Sequence, residues 1–333
     1  MWQSVDVRFI VYGAGAIGGV IGGRLAEHGS EVVLIARGAH AEVIAGSGLT
    51  IESPQGTSTI QVPAVTDPSE ITFRPDDVII IAVKSQDTES VLTRLRHSMP
   101  PTTPVVCAQN GVGNERATLR LFPNVIGMNV MCPATHLEPG VVQAFTTPVS
   151  GILDIGRYPT GADDVCAAFS ESLEQATFVS VARPDIMRWK YTKLLMNLGN
   201  AIEALCGPAA ARGPLFRLLR DEGVKCLQAA SIDYVPEKED AERRGDLLRL
   251  HPIGDKARGG GSTWQSVVRG TGSIETDHLN GEIVLLGRLH GVDTPANELM
   301  QELMFDMAVR GLQPGTLTPD TILDRLGHAV TPT

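Results

Sequence analysis

Val7-Arg8-Phe9-Ile10-Val11-Tyr12, running directly into Gly13-Ala14-Gly15-Ala16-Ile17-Gly18, decides how this chain folds. The first six residues read as a short, mostly apolar strand, and a helix-like segment follows the last glycine. G-x-G-x-x-G alone is a weak signal, but a strand before it and a helix after it give it a mechanism. Gly13 allows a tight turn, Gly15 lets the backbone approach a pyrophosphate, and Gly18 lets helix and strand pack closely. Backbone amides at that helix N-terminus bind phosphate oxygens. Gly13, Ala14, Gly15, Ala16, Ile17 and Gly18 are therefore the predicted dinucleotide-binding turn. The run is interrupted by glycines and lacks a preceding basic region, so it does not read as a secretory signal.

The second strand, Val32–Ile35, ends at Ala36-Arg37-Gly38. Sites for NAD place an acidic residue about 20 residues after the glycines, where it bonds the ribose 2′-hydroxyl. Here the position is basic. The guanidinium of Arg37 pairs with a 2′-phosphate through parallel hydrogen bonds. NADP(H) is the expected cofactor.

Composition narrows the class further. A length of 333 residues suits two domains. A formal charge of −10 argues against nucleic acid as a partner, which needs a basic face. No apolar run is long and unbroken enough for a bilayer span. Five cysteines, dispersed and without a C-x-x-C pair, read as reduced thiols in a cytoplasmic chain.

The first half alternates short apolar strands with helical segments: strands at Val78–Val83, Val105–Cys107, Val125–Gly127, Val141–Phe145, Ile152–Ile155 and Phe178–Val181, and helices at Asp87–Ser98 and Ala162–Ala176. Thr50–Ile51 and Thr57–Val62 flank Ser53-Pro54-Gln55-Gly56 and read as a hairpin. The pattern predicts an α/β fold with a doubly wound, mostly parallel sheet over residues 1–183. Residues 184–333 read as all-helical, with long helices expected at Asp185–Leu205, Pro214–Tyr234, Ser273–Leu289 and Pro295–Arg310. Glu237–Arg258 reads as a charged loop or short helix, and Gly259-Gly260-Gly261 as a joint.

Four places carry candidate chemistry. On a continuous helix Asp185–Leu205, Lys193, Asn197 and Asn200 fall within about 60° of one another, opposite an arc of leucines. Asn is a poor helix former, so two on one face call for a reason. Asn110, in Gln109-Asn110-Gly111-Val112-Gly113-Asn114, follows a predicted strand, and ligands in open α/β sheets sit beyond the carboxyl ends of strands. Lys84 takes the same position after Val78–Val83. Ser273 reads as a helix cap with Glu275 and Asp277 in the first turn. No zinc-protease, paired-cysteine metal or serine-hydrolase motif is present.

Taken in order, these residues resemble the ketopantoate reductase (2-dehydropantoate 2-reductase) family over most of the chain. The resemblance rests on Gly13–Gly19, Arg37, Ala82-Val83-Lys84, Gln109–Asn114, Trp189 with Lys193 to Asn197, Ser262, and Glu275-x-Asp277-x-x-Asn280-Gly281. It implies a Rossmann-type NADP-binding domain followed by a helical domain like that at the C-terminus of 6-phosphogluconate dehydrogenase. It also implies NADPH-dependent reduction of ketopantoate to pantoate, a step toward pantothenate and coenzyme A, with a homodimer as a candidate assembly. In this scheme Lys193 is the proton donor and Glu275 orients it and bonds the substrate hydroxyl. Asn197 and Ser262 bind the substrate, Asn110 lies between nicotinamide and substrate, and Arg37 and Lys84 hold the phosphate end of the cofactor. Where the family has a second asparagine, eight residues after the lysine, this chain has Ala201, with Asn200 one position earlier. The interval before Glu275 is one residue longer than the family's. The departures leave two alternatives, another bulky 2-oxo acid as substrate or a non-catalytic NADP(H) sensor.

Overall fold

Arg8–Tyr12 forms β1, buried along its whole length. Residues 7–269 and 275–329 are described by a computed structural model of the chain. After β1 come α1 (Ala16–Glu27), β2 (Glu31–Ile35), α2 (Gly38–Ser47), β3 (Leu49–Ser53), β4 (Gly56–Ile60) and β5 (Ala64–Val65). The chain continues through β6 (Asp77–Ile81), α3 (Thr88–Ser98), β7 (Val105–Cys107), α4 (Asn114–Leu119), β8 (Val125–Met131), β9 (Ala134–Thr135) and β10 (Val141–Ala144). β11 (Thr146–Pro148), β12 (Gly151–Arg157), α5 (Asp164–Gln175) and β13 (Phe178–Val179) complete this part. The helical part holds α6 (Ile186–Asn197), α7 (Gly199–Cys206), α8 (Pro214–Ala229), α9 (Glu237–Arg244), a short β14 (Leu248–Leu250), α10 (Ser262–Val268), α11 (Asn280–His290), α12 (Pro295–Arg310) and α13 (Pro319–Ala329).

The main sheet runs β13-β12-β8-β7-β6-β1-β2-β5. Its six strands from β5 to β8 are parallel and follow the order of a dinucleotide-binding fold, β12 adds antiparallel to β8, and β13 is parallel to β12. The all-buried runs Phe9-Ile10-Val11 and Val78-Ile79-Ile80-Ile81 suit strands covered on both faces. Val11, Ile80 and Ile126 pack with α1 and α5 on one face; Ile10, Ile79 and Ile81 pack with Leu92 and Leu95 of α3 on the other. At the foot of the sheet Arg8 donates to both carboxylate oxygens of Asp77, its register partner, at 2.7 and 2.8 Å.

The hairpin expected near residues 50–62 is β3–β4, and it leaves the main sheet. β3 pairs with β10, and β10 with β9, to give a second sheet ordered β4-β3-β10-β9. α1 lies between the two sheets, and its glycines allow this. A Cβ on Gly22 would come within 2.6 Å of Leu34 in β2, and one on Gly19 or Gly23 within 2.7 Å of Val142 in β10 or Ile51 in β3.

The chain divides into two compact units, Met1–Lys190 with Pro236–Arg258, and Tyr191–Val235 with Gly259–Thr333. The expected boundary at Pro184 precedes α6; the division falls inside that helix, after Lys190. The charged segment 237–258 counts with the first unit. There β14 pairs with β11, and Arg243 joins Arg183 on the buried carboxylate of Asp154. At Gly259 and Gly260 the backbone packs on the Trp264 ring.

In the second unit the expected single helix Asp185–Leu205 is interrupted at Leu198, giving α6 and α7. α8 ends at Ala229, earlier than expected. α11 begins only at Asn280, and the expected cap Ser273 lies outside the described residues. α12 has no capping side chain of its own. Glu222 of α8 supplies one from outside, accepting from the amides of Ala296 and Asn297 at 2.9 and 3.0 Å and from Asn297 Nδ2 at 2.7 Å. Asn280 donates to Asn297 Oδ1 at 3.0 Å, so the Asn280-Gly281 pair is tied to the same network. Glu222→Ala strips three buried donors of their acceptor and is expected to lower unfolding free energy by about 3 kcal/mol. A urea titration of the full chain measures this; a midpoint equal to the parent's refutes the capping role.

Candidate active site

In the first unit, the loops after β1, β6 and β7 meet at the carboxyl edge of the sheet, where strand order reverses between β1 and β6. Gly13 has φ of +100°, a value that favours glycine, and a Cβ there would come within 2.8 Å of Val83 in the neighbouring loop. Gly15 caps α1, no side chain caps that terminus, and its first turn holds no acid. A Cβ on Gly15 would meet nothing within 4 Å. The amides of the first turn of α1, including Ala16 and Ile17, have no intrahelical partner by helix geometry. The turn is thus an open cradle of positive backbone dipoles, the chemistry that a pyrophosphate requires.

Arg37 is exposed at the start of α2, just beyond the end of β2. Lys84, half-buried, follows β6 and starts a short 3-10 turn. Asn110 lies just beyond β7, and the two loops are stitched together. Asn114 Nδ2 donates to Ser85 Oγ at 3.0 Å and to the Asn110 carbonyl at 3.2 Å, while Thr88 Oγ1 donates to Asn114 Oδ1 at 2.8 Å. Ser85 and Thr88 carry no signal in the sequence, because polar residues in a loop look the same whether they face solvent or each other, and Asn114 stands there only as the end of Gln109–Asn114.

Lys190 is the other lysine of α6, one turn before Lys193. Its Nζ is buried, 2.6 Å from Glu115 Oε1, and donates to the carbonyls of Gln109 at 2.9 Å and Met128 at 3.1 Å. That ammonium is committed to holding β8, α4 and the start of the Asn110 loop, so it is unavailable for proton transfer.

In the second unit, Lys193 is half-buried on α6, and Asn197 follows one turn later. The Asn197 side chain is only 5% exposed, yet its Nδ2 has no hydrogen-bond partner among the described residues. A buried amide donor left open in this way is costly unless a ligand fills it. Asn200 lies past the break, on α7, so the wheel angle of a continuous helix does not apply to it. It faces the stretch before α10, with Oδ1 3.9 Å from where a Cβ on Gly261 would sit. Ser262 begins α10. The Gly261 amide just before it donates to Glu203 Oε1 at 3.0 Å. Glu275 is buried and precedes the 3-10 turn Thr276–His278, rather than lying in a helical first turn. Asp277 accepts from Gln301 Nε2 at 2.6 Å, a structural role. Thus Asn200, Gly261 and Ser262 are brought together, as are Lys193 and Asn197. Ala201, at the position of the family's second asparagine, is buried.

Burial pushes the Cys107 and Cys132 thiols up to about 12. Among the described residues no cluster of His, Cys, Asp or Glu has the arrangement to hold a metal, and no helix is long and apolar enough to cross a membrane.

Residues 9–160 match the family model described as ketopantoate reductase PanE/ApbA, and residues 185–307 match its C-terminal counterpart. The chain is 28% identical to the 2-dehydropantoate 2-reductase of Pyrococcus horikoshii over 306 residues, covering 90% of this chain and 96% of that protein. It superposes on a PanE/ApbA family ketopantoate reductase from Ralstonia eutropha with a TM-score of 0.77, at 27% identity over 92% of this chain and 99% of the other. D-mandelate dehydrogenase, solved with NADH and anilino(oxo)acetate, shares the fold at a TM-score of 0.77 and 22% identity, over 92% of this chain and 99% of its own.

Proposed function

Since the chain belongs to the ketopantoate reductase family, we propose that it reduces a 2-oxo acid to a 2-hydroxy acid with NADPH, 2-dehydropantoate being the leading substrate. The observation that carries this reading is on α6. Lys193 and the open amide of Asn197 share a helix whose other lysine, Lys190, is already engaged in the interior.

NADPH supplies a hydride when bound. Its phosphates fit the amides of Gly13–Gly18, and its 2′-phosphate fits the Arg37 guanidinium, with Lys84 adding positive charge. As negative charge builds on the ketone oxygen, Lys193 Nζ stabilises it and delivers the proton. Asn197 Nδ2 donates to a substrate oxygen, a contact that fills its missing bond. Ser262, with Asn200 beside it, takes the substrate carboxylate. Glu275 accepts from the substrate hydroxyl and balances the charge of Lys193. Asn110 orients the nicotinamide and substrate against each other. A second reading keeps this chemistry but changes the acid. Ala201 offers a methyl group where the family pattern has an amide, which favours a bulky 2-oxo acid with less to hydrogen-bond.

The test is oxidation of NADPH and of NADH with 2-dehydropantoate beside pyruvate, 2-oxoisovalerate and oxaloacetate. Turnover of 2-dehydropantoate with NADPH ahead of the others is expected. Tight NADPH binding with no turnover of any oxo acid favours a sensor and ends the reductase reading. Arg37→Ala is expected to weaken NADPH binding about tenfold, a modest loss because the guanidinium is exposed, and to leave NADH binding unchanged. Equal use of both nucleotides by the parent protein refutes the role of Arg37.

A further inference from the structure

The second sheet, β4-β3-β10-β9, takes no part in the chemistry above, yet a chain of hydrogen bonds joins it to the glycine turn. His40, one turn into α2, bridges the gap. Its Nε2 lies 2.7 Å from the carbonyl oxygen of Ala14, inside the turn, and its Nδ1 accepts from the Gly140 amide at 2.8 Å. Gly140 precedes β10, and its own carbonyl accepts from the Thr50 amide in β3 at 2.9 Å. The His136 ring packs on the His40 ring with centroids 4.1 Å apart, and His136 Nδ1 lies 3.0 Å from the Val141 carbonyl.

This geometry fixes the tautomer. Gly140 offers only an N–H, so Nδ1 of His40 is the acceptor and carries no proton. Nε2 therefore holds the proton and donates it to Ala14. Burial, which lowers the pKa of His40, favours the same neutral ring.

The bond to Ala14 has a directional consequence. A peptide unit is planar and trans, so its C=O and the following N–H point in opposite directions. Holding the Ala14 carbonyl toward His40 turns the Gly15 N–H away from it. Glycine next to this peptide offers little resistance to a flip, because it has no Cβ to restrict it. Nothing lies within 4 Å of a Cβ placed on Gly15, so the turn is open on that side.

We propose that His40 is the positioning residue of the cofactor turn, which it locks to the second sheet through Ala14 and Gly140 so that the Gly15 amide is aimed at the pyrophosphate before the nucleotide arrives. The pyrophosphate part rests on the NADPH reading; the locking part does not. Preorganised donors bind without paying for their ordering, so loss of the lock shows as weaker nucleotide binding with the chemical step intact.

Three variants of the full chain test it. His40→Leu removes both hydrogen bonds, His40→Gln keeps one donor and one acceptor on a side chain of similar reach, and His40→Asn is too short to span both partners. Expected for His40→Leu is a Kd for NADPH raised about tenfold with kcat at saturating NADPH within about twofold of the parent, and for His40→Gln a Kd restored to within about threefold. Parent-like NADPH binding by His40→Leu overturns the proposal, and so does a His40→Gln variant as weak as His40→Leu. If His40→Leu does not fold, the other pair decides. His40→Asn weaker than His40→Gln supports the lock, and equal binding overturns it. Hydrogen exchange of the Gly13–Gly18 amides, measured without nucleotide, separates the two readings. Faster exchange in the weakened variants supports the lock even if the parent binds no NADPH, and unchanged exchange refutes it.

Discussion

Lys193→Ala is expected to lower kcat by about 10²–10⁴-fold while leaving the Kd for NADPH within twofold of the parent, that is, about 0.4 kcal/mol. The size follows from the role. Hydride addition leaves an alkoxide, and without a positioned acid the proton has to come from water. The separation of effects also follows from the role, because the residues proposed to hold NADPH phosphates lie on the loops after β1, β2 and β6, remote in sequence from Lys193. Lys193→Arg keeps the charge but moves the donor and raises its pKa, and is expected to fall between parent and alanine. Steady-state kinetics paired with a nucleotide titration decide the matter. Near-normal turnover by Lys193→Ala removes Lys193 from the acid's role, and Lys190 cannot inherit it while bound to Glu115.

Lys190→Met is expected to cost about 3–5 kcal/mol of stability. Lys190 is 3% exposed and Glu115 is fully buried, so removing the ammonium leaves a carboxylate in the interior with no counter-charge. It also strips the Gln109 and Met128 carbonyls of a donor. Lys190→Met combined with Glu115→Leu removes the stranded charge, and more than half of the loss is expected to return. The double variant does not recover fully, because the two carbonyls still lack the ammonium donor. Denaturant unfolding of parent, both single variants and the double gives the coupling directly. A Lys190→Met protein as stable as the parent contradicts a buried pair.

What could be read from the sequence was local. The glycine turn, the basic residue after β2 and the apolar strands each announce themselves within a few residues, and the order of strands and helices is enough for the sheet. The break between α6 and α7 was not readable. Leu198 keeps right-handed helical angles, φ −57° and ψ −28°, and no proline marks the spot. Gly199 beside it sits where a Cβ would come within 3.2 Å of the Ala211 carbonyl and the Phe216 ring, a contact from another element. β14 has no local signal in the sequence, because Leu248-Arg249-Leu250 is short and charged, and takes its register from β11. The pairs Lys190–Glu115 and Glu222–Asn297 join residues far apart in the chain. A lysine or glutamate gives no sign in sequence of whether it faces water or a buried partner. Lys193 and Asn197 stand out for the opposite reason, because on the helix expected over Asp185–Leu205 they fall opposite an arc of leucines.

The Asp154 carboxylate with its two arginines has a consequence for dissecting this protein. Arg183 and Asp154 lie early in the chain, but Arg243 returns from beyond α8. The polypeptide therefore leaves the first unit, visits the second and comes back before leaving again at Gly259. No single cleavage yields either unit whole. A fragment stopping after β13 keeps every residue proposed to contact the nucleotide, yet it loses the helix and strand that cover Asp154 and the edge of β11. Modularity by function and modularity by chain are different partitions here, and an autonomous nucleotide-binding piece would have to be spliced from two stretches rather than cut from one.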